Sequence, residues 1–274
     1  MSKYILIIFI TFIILASFMT LYRVDAAAET KDFSYHNFIK NIDYAVLLEE
    51  ELDLMGKISL EDNQPFLYQQ LGELRLKIAA YNYSKYRIKS TDSRALYKAL
   101  EYSASAVELL KDSDQSWLVL AMVLSEFKNE EKMLVESGHA FIKAVEINPA
   151  NAQAQQLLAQ NLLEQGRFWS AVEQYKNLFN KDLSMLTGTN ISNLTLAFIA
   201  DGRMEAGLNY LNELQQKVPN NFYINISLAI LYQNLGYKDV SQLIIETLML
   251  DKERLTSNQK IYLENLLRKW KGAE

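Results

Sequence analysis

Three glycines, Gly166, Gly202 and Gly236, lie 36 and 34 residues apart, each inside the same arrangement of large and small side chains. Leu158, Ala159 and Leu162 precede Gly166, and Phe168, Ala171, Tyr175 and Leu178 follow it. Leu194 and Phe198 precede Gly202, and Met204, Gly207, Leu211, Leu214 and Pro219 follow. Around Gly236 stand Leu228, Ala229 and Tyr232, then Ser241, Ile245 and Leu248. Apolar residues at helical spacing on both sides of a turn, repeating at this period, mark stacked helix–turn–helix units. No such unit buries its apolar face alone, so neighbours must stack.

The pattern returns less regularly upstream. Trp117, Leu120, Ala121 and Leu124 are followed by Phe141, Ala144 and Pro149, at an offset longer by about one helical turn, with the excess near Asn129–Glu136. Pro65 opens a further unit, where Tyr68, Leu71 and Gly72 fit but Arg75 stands at an aromatic position. Its second helix is expected over Asp92–Leu110, with Ala99 and Ala106 at the small positions. These residues together resemble the tetratricopeptide repeat. The resemblance implies an all-α fold, a right-handed superhelical solenoid of antiparallel helix pairs. About four clear or degenerate units are expected, plus one degenerate N-terminal unit and a C-terminal capping helix. The segments are 29–60, an N-terminal helical stretch; 65–113, a degenerate unit with an insertion; 114–253, the repeats; and 256–272, the cap. Ser241 replaces an expected alanine and Glu253 an expected proline, departures common in terminal repeats.

Composition agrees with long helices: only three prolines and nine glycines interrupt 274 residues, half of them hydrophobic. A net charge of −5 without a long basic run argues against a nucleic-acid partner. The absence of cysteine excludes disulfides and thiolate metal sites. His36 and His139 are the only histidines. No nucleophile motif, phosphate loop or metal-ligand spacing is present. The chain is therefore read as no enzyme, with no catalytic, cofactor or metal residues.

Tyr4–Leu21 is a near-continuous apolar run after Lys3, followed by Arg23, Asp25 and the alanines Ala26–Ala28. Residues 1–26 read either as a signal peptide, which the alanines favour, or as a signal anchor, which the length favours. Both place the remainder outside the cytoplasm, periplasmic or secreted, and the second ties it to the inner membrane through residues 4–21.

Lys31–Gly56 is expected to form a lone helix ended by Gly56, its acidic residues Glu49, Glu50, Glu51 and Asp53 forming a solvated face. Between the first pair of helices, Tyr81–Asp92 interleaves Tyr81, Tyr83 and Tyr86 with Lys85, Arg87 and Lys89. It reads as a lengthened helix end with packed tyrosines; the sharper alternative is contact with an anionic membrane or acidic segment. At the C-terminus, Thr256 and Gln259 offer a capping box, and Leu263, Leu266, Leu267 and Trp270 form one apolar stripe. Four Asn-x-Ser/Thr triplets, at Asn82, Asn190, Asn193 and Asn225, read as chance matches.

The resemblance implies that the first helix of each pair lines a concave face. The inward positions are then Leu118 and Met122; Gln156, Gln160 and Leu163; Ser192, Leu196 and Ile199; and Ile226, Ile230 and Gln233. They lack the lysines and asparagines of carboxylate-clamping relatives. A mostly apolar groove suits an amphipathic or apolar segment of another protein, unless the chain's own N-terminal helix fills it. The expected role is an extracytoplasmic scaffold in assembly of an envelope complex. Alternatives are an assembly factor of the cytochrome c maturation type, whose components can show a lengthened repeat, and a self-associating structural protein.

Overall fold

The computed structural model describes residues 41–60, 64–250 and 255–271. The expected export segment, Phe38 and Glu253 lie outside them. Twelve α-helices and one short 3-10 turn make up the described residues, with no strand among them. They fall into two compact units, one ending at Arg167 and the other beginning at Phe168.

The first unit contains α1 (Tyr44–Leu60), α2 (Pro65–Ile88), α3 (Ser93–Leu109), α4 (Asp114–Leu124), α5 (Glu131–Ile147) and α6 (Ala152–Glu164). Local chemistry sets most helix starts. Pro65 occupies the first turn of α2, and the side chains of Asp92, Ser113 and Asn151 accept from the free N–H groups of Ala95, Ser116 and Ala154. The extra turn expected near 129–136 belongs to α5, which has 17 residues against 14 in each of the helices Phe168–Lys181 and Met204–Lys217. The Tyr81–Asp92 stretch continues α2 to Ile88 as a lengthened helix end. Tyr83 is buried with Leu96, Ala99, Val123 and Phe127, and Tyr86 packs on that cluster.

Helix α1 begins at Tyr44, the described residues 41–43 of the expected Lys31–Gly56 helix being non-helical, and it differs from expectation in two further ways. It passes through Gly56 and ends at Leu60. Gly56 lacks the left-handed backbone that ends helices at glycine, so nothing there stops the helix. Second, Glu51 is buried rather than solvated. It accepts from Arg75 Nε at 2.8 Å and from the Tyr102 hydroxyl at 3.1 Å. Tyr44 stacks on Tyr81 with ring centroids 4.6 Å apart, and its hydroxyl accepts from Asn82. Helix α1 therefore lies antiparallel on α2, Tyr44 beside Asn82 and Glu51 beside Arg75.

The second unit contains α7 (Phe168–Lys181), the 3-10 turn Leu183–Met185, α8 (Gly188–Ala200), α9 (Met204–Lys217), α10 (Phe222–Asn234), α11 (Lys238–Leu250) and α12 (Ser257–Lys271). Gly202 has φ 74° and Gly236 φ 89°, the left-handed region where a Cβ is costly. At both, the following N–H reaches back five residues: Arg203 N to Phe198 O at 3.0 Å and Tyr237 N to Tyr232 O at 2.9 Å. These bonds satisfy carbonyls at the helix end, and Gly166 ends α6 the same way, with Arg167 N on Leu162 O. The glycine period in the sequence is thus a period of identical helix stops.

Small residues set how closely helices approach. A Cβ on Gly207 would lie 2.9 Å from Phe198 Cγ and 3.0 Å from Leu231 Cδ1. Ala171 and Ser241 are fully buried at the equivalent positions. The Ser241 hydroxyl has two acceptors within reach of its single proton, Gln233 Oε1 at 2.6 Å and Lys238 O at 2.7 Å, so serine is accommodated where alanine is expected.

Candidate partner-binding surface

The eleven expected groove residues divide by burial, and none is exposed. In the first unit, Leu118 is buried, and Met122 packs against the Tyr83–Phe127 cluster at the join between α2, α3 and α4. Gln156, Gln160 and Leu163 are half-buried on α6. Their spacing places them on one face, flanked by the buried Ala159 and away from the buried Leu158 and Leu162. Gln160 donates to Glu164 at 3.1 Å, an exposed pair.

In the second unit, Ser192 is buried and its hydroxyl donates to Gly188 O at 2.7 Å. Leu196 is half-buried. Ile199 packs against a core cluster containing Ile226, Ala229, Ile230, Ile245, Tyr262, Leu263, Leu266 and Trp270. Ile226 and Ile230 are core residues, 0% and 5% exposed, and share that core with the apolar stripe of α12. Gln233 is half-buried and holds the Ser241 hydroxyl.

Within each unit, part of the expected groove is spent on packing: Leu118 in the first, and Ser192, Ile226 and Ile230 in the second. The physical reason lies in α8 and α10. Residues 190–195 of α8 and 226–231 of α10 are all buried, so each helix is enclosed on every side. A helix buried all round is a central helix whose side chains are spent on neighbours; in α8 the buried polar groups Asn190, Ser192, Asn193 and Thr195 are held by hydrogen bonds within the fold. The partly open positions are Gln156, Gln160 and Leu163 on α6 and, in the other unit, Leu196. Helix α1 has side-chain partners in Arg75, Tyr81 and Asn82 of α2 and Tyr102 of α3.

Two tyrosines carry perturbed hydroxyls. Burial, reinforced by the Glu51 carboxylate, pushes Tyr102 up to about 12. Burial, reinforced by Glu213 and Glu173, does the same for Tyr210. The Tyr210 ring also lies 5.5 Å from Lys176 Nζ, and the Arg203 guanidinium lies 4.0 Å over Trp169. The carboxylate–arginine–tyrosine network at Glu51 was not anticipated from sequence. Arg75 at an aromatic position was its one visible sign. Among the described residues, no three His, Cys, Asp or Glu side chains converge to hold a metal ion. No described helix is long and apolar enough to cross a membrane.

No protein-family model matches the chain, and no curated protein matches it. Solved structures do. MamA aligns with a TM-score of 0.52 and 12% identity, covering 67% of this chain and 92% of that one. MamA from residue 41 to its end, of Desulfovibrio magneticus RS-1, aligns at 0.50 and 12% identity, covering 66% and 98%. YrrB, described as a TPR protein with an unusual peptide-binding site, aligns at 0.49 and 11% identity, covering 77% and 97%. At these identities the likeness is one of fold. With the glycine-stopped helix pairs, the two MamA alignments define the fold class: an all-helical repeat of antiparallel helix pairs.

Proposed function

We propose that this protein is a non-catalytic scaffold that binds a segment of another protein outside the cytoplasm, in assembly of an envelope complex. The observation that carries the reading is the repeat architecture itself. Stacked helix pairs present side chains of successive first helices on one surface, and such surfaces serve extended recognition. The half-buried stripe Gln156, Gln160 and Leu163 supplies two amide side chains and one apolar anchor, which suits an amphipathic segment better than a purely apolar one. The extracytoplasmic part of the reading is supported by the apolar run at residues 4–21 and the alanines after it.

The test is a peptide-display selection on the full chain, followed by affinity measurement for wild type, Gln160→Arg and Leu163→Asp. Both positions lie off the core, so circular dichroism should remain unchanged. Enriched amphipathic peptides that lose about tenfold or more in affinity on each variant support the reading. Failure to enrich any peptide, or equal affinity for all three proteins, rejects the α6 surface.

A further inference from the structure

We propose that the tip of the α2–α3 hairpin is a docking surface for anionic lipid headgroups, so that this end of the first unit faces a membrane. Residues 85–98 carry Lys85, Arg87, Lys89, Arg94 and Lys98 against the single anion Asp92, in a chain whose net charge is −5. The first four cations are exposed at the last turn of α2, in the connection or at the first turn of α3. Two of the five are partly neutralised, Lys85 by Asp92 at 3.8 Å and Arg87 by Glu126 at 3.0 Å. Lys89 and Arg94 stay in water. Tyr97 and Ile88, 59% and 40% exposed, add apolar surface among these charges. Cations around an exposed tyrosine and an aliphatic side chain match a headgroup layer, where charge meets phosphate and rings settle at the interface.

A second observation selects a lipid surface over an acidic peptide. Tyr44, the first residue of α1, stacks on Tyr81 and lies under Lys98 Nζ at 5.8 Å, so α1 begins at the tip end of the hairpin. The apolar run Tyr4–Leu21 is joined to Tyr44 by 22 residues. The chain therefore enters the folded unit at its most basic end, coming from its most apolar sequence. Tyr81 and Tyr83 are engaged inside the unit, on Tyr44 and in the Leu96–Val123 cluster, which leaves the binding to Tyr97 and the lysines and arginines. This surface is separate from the α6 stripe, and neither depends on the other.

The absence of cysteine allows a clean test on the full chain. Ser90→Cys at the tip and Gln115→Cys, exposed at the start of α4 beyond the opposite end of the same hairpin, are each labelled with a fluorophore. The proteins are reconstituted into nanodiscs of phosphatidylcholine alone or with about one third phosphatidylglycerol, with a nitroxide quencher on the headgroup. Quenching at Ser90→Cys should be about fivefold or more stronger in the anionic discs, and should fall to the neutral level in Lys89→Glu/Arg94→Glu and at high salt. Gln115→Cys should show no such dependence. Equal or absent quenching at the tip in both discs overturns the proposal, as does equal quenching at Gln115→Cys. A tip label that responds to soluble poly-glutamate but not to anionic lipid assigns the surface to an acidic peptide and overturns it too. Lys89→Gln/Arg94→Gln repeats the test if charge reversal disturbs circular dichroism. Peptide affinity at α6 should be unchanged in either variant, which separates failure here from failure of the scaffold reading.

Discussion

Arg75 Nε donates to Glu51 Oε1 at 2.8 Å, and this ion pair fixes α1 on α2. Both side chains are largely withdrawn from water, at 21% and 10% exposure, and the other carboxylate oxygen of Glu51 accepts from Tyr102. Arg75 reaches Ser105 as well. Removing one partner leaves a buried charge uncompensated, which outweighs the modest net value of the intact pair. Glu51→Ala should weaken α1 docking by about 1–3 kcal/mol, a range lowered for the partial exposure of Arg75. Hydrogen exchange reads it: the α1 amides should exchange faster while those of α8 and α10 keep their protection.

Gly207 tests the packing rule behind the repeats. Alanine there would press its Cβ on the Phe198 ring at 2.9 Å and on Leu231 at 3.0 Å, both buried side chains with little room to yield. Gly207→Ala should destabilise the second unit by about 1–3 kcal/mol despite its better helix propensity. Chemical denaturation followed by Trp270 fluorescence measures this. The paired change Phe198→Leu with Gly207→Ala should recover part of the loss.

Much of this was legible beforehand because it is local. Gly202 and Gly236 stop helices through their own backbone, Asp92 and Thr256 cap them through side chains three residues away, and Ala99 and Ala171 report close approach by their size alone. Thr256 and Gln259 form both arms of the capping box, at 2.9 and 3.2 Å. What could not be read was which apolar residues neighbours would claim. Ile226 and Ile230 have the chemistry of a groove and of a core, and only the position of α12 decides between them. Glu51 was equally ambiguous. A carboxylate among three others on one helix looks solvated until an arginine 24 residues on turns towards it.

The cap makes that decision testable. Leu263 is fully buried and Trp270 is 5% exposed, in the cluster that covers Ile226 and Ile230. Trp270→Ala should lower the stability of the second unit by about 3–5 kcal/mol, and Ile230→Asp should unfold it outright because a charge would sit in that core. Thr256→Ala should have a smaller effect, about 1 kcal/mol, confined to the start of α12. Thermal melts rank the three. Comparable stability of Ile230→Asp and wild type would mean that the isoleucine faces water and that a groove there is open after all.

The tyrosines give a pH signature. Tyr102 and Tyr210 ionise near 12 in the folded protein against 10 for a free side chain, in each case chiefly through burial and secondarily through nearby carboxylates. A raised folded value means that the folded state holds its proton where the unfolded state has released it. The stabilising contribution of each hydroxyl is therefore complete below pH 10 and is lost as pH rises from 10 through 12. Absorbance titration of phenolate should show a late step beyond the ordinary tyrosines. Tyr102→Phe and Tyr210→Phe should each remove part of that step and reduce the loss of stability between pH 10 and 12. Glu51→Gln separates the two, since it removes a carboxylate beside Tyr102 and none beside Tyr210. It should move the Tyr102 titration down and leave that of Tyr210 in place. A late step that survives both phenylalanine variants would mean that the buried hydroxyls lie elsewhere in the fold.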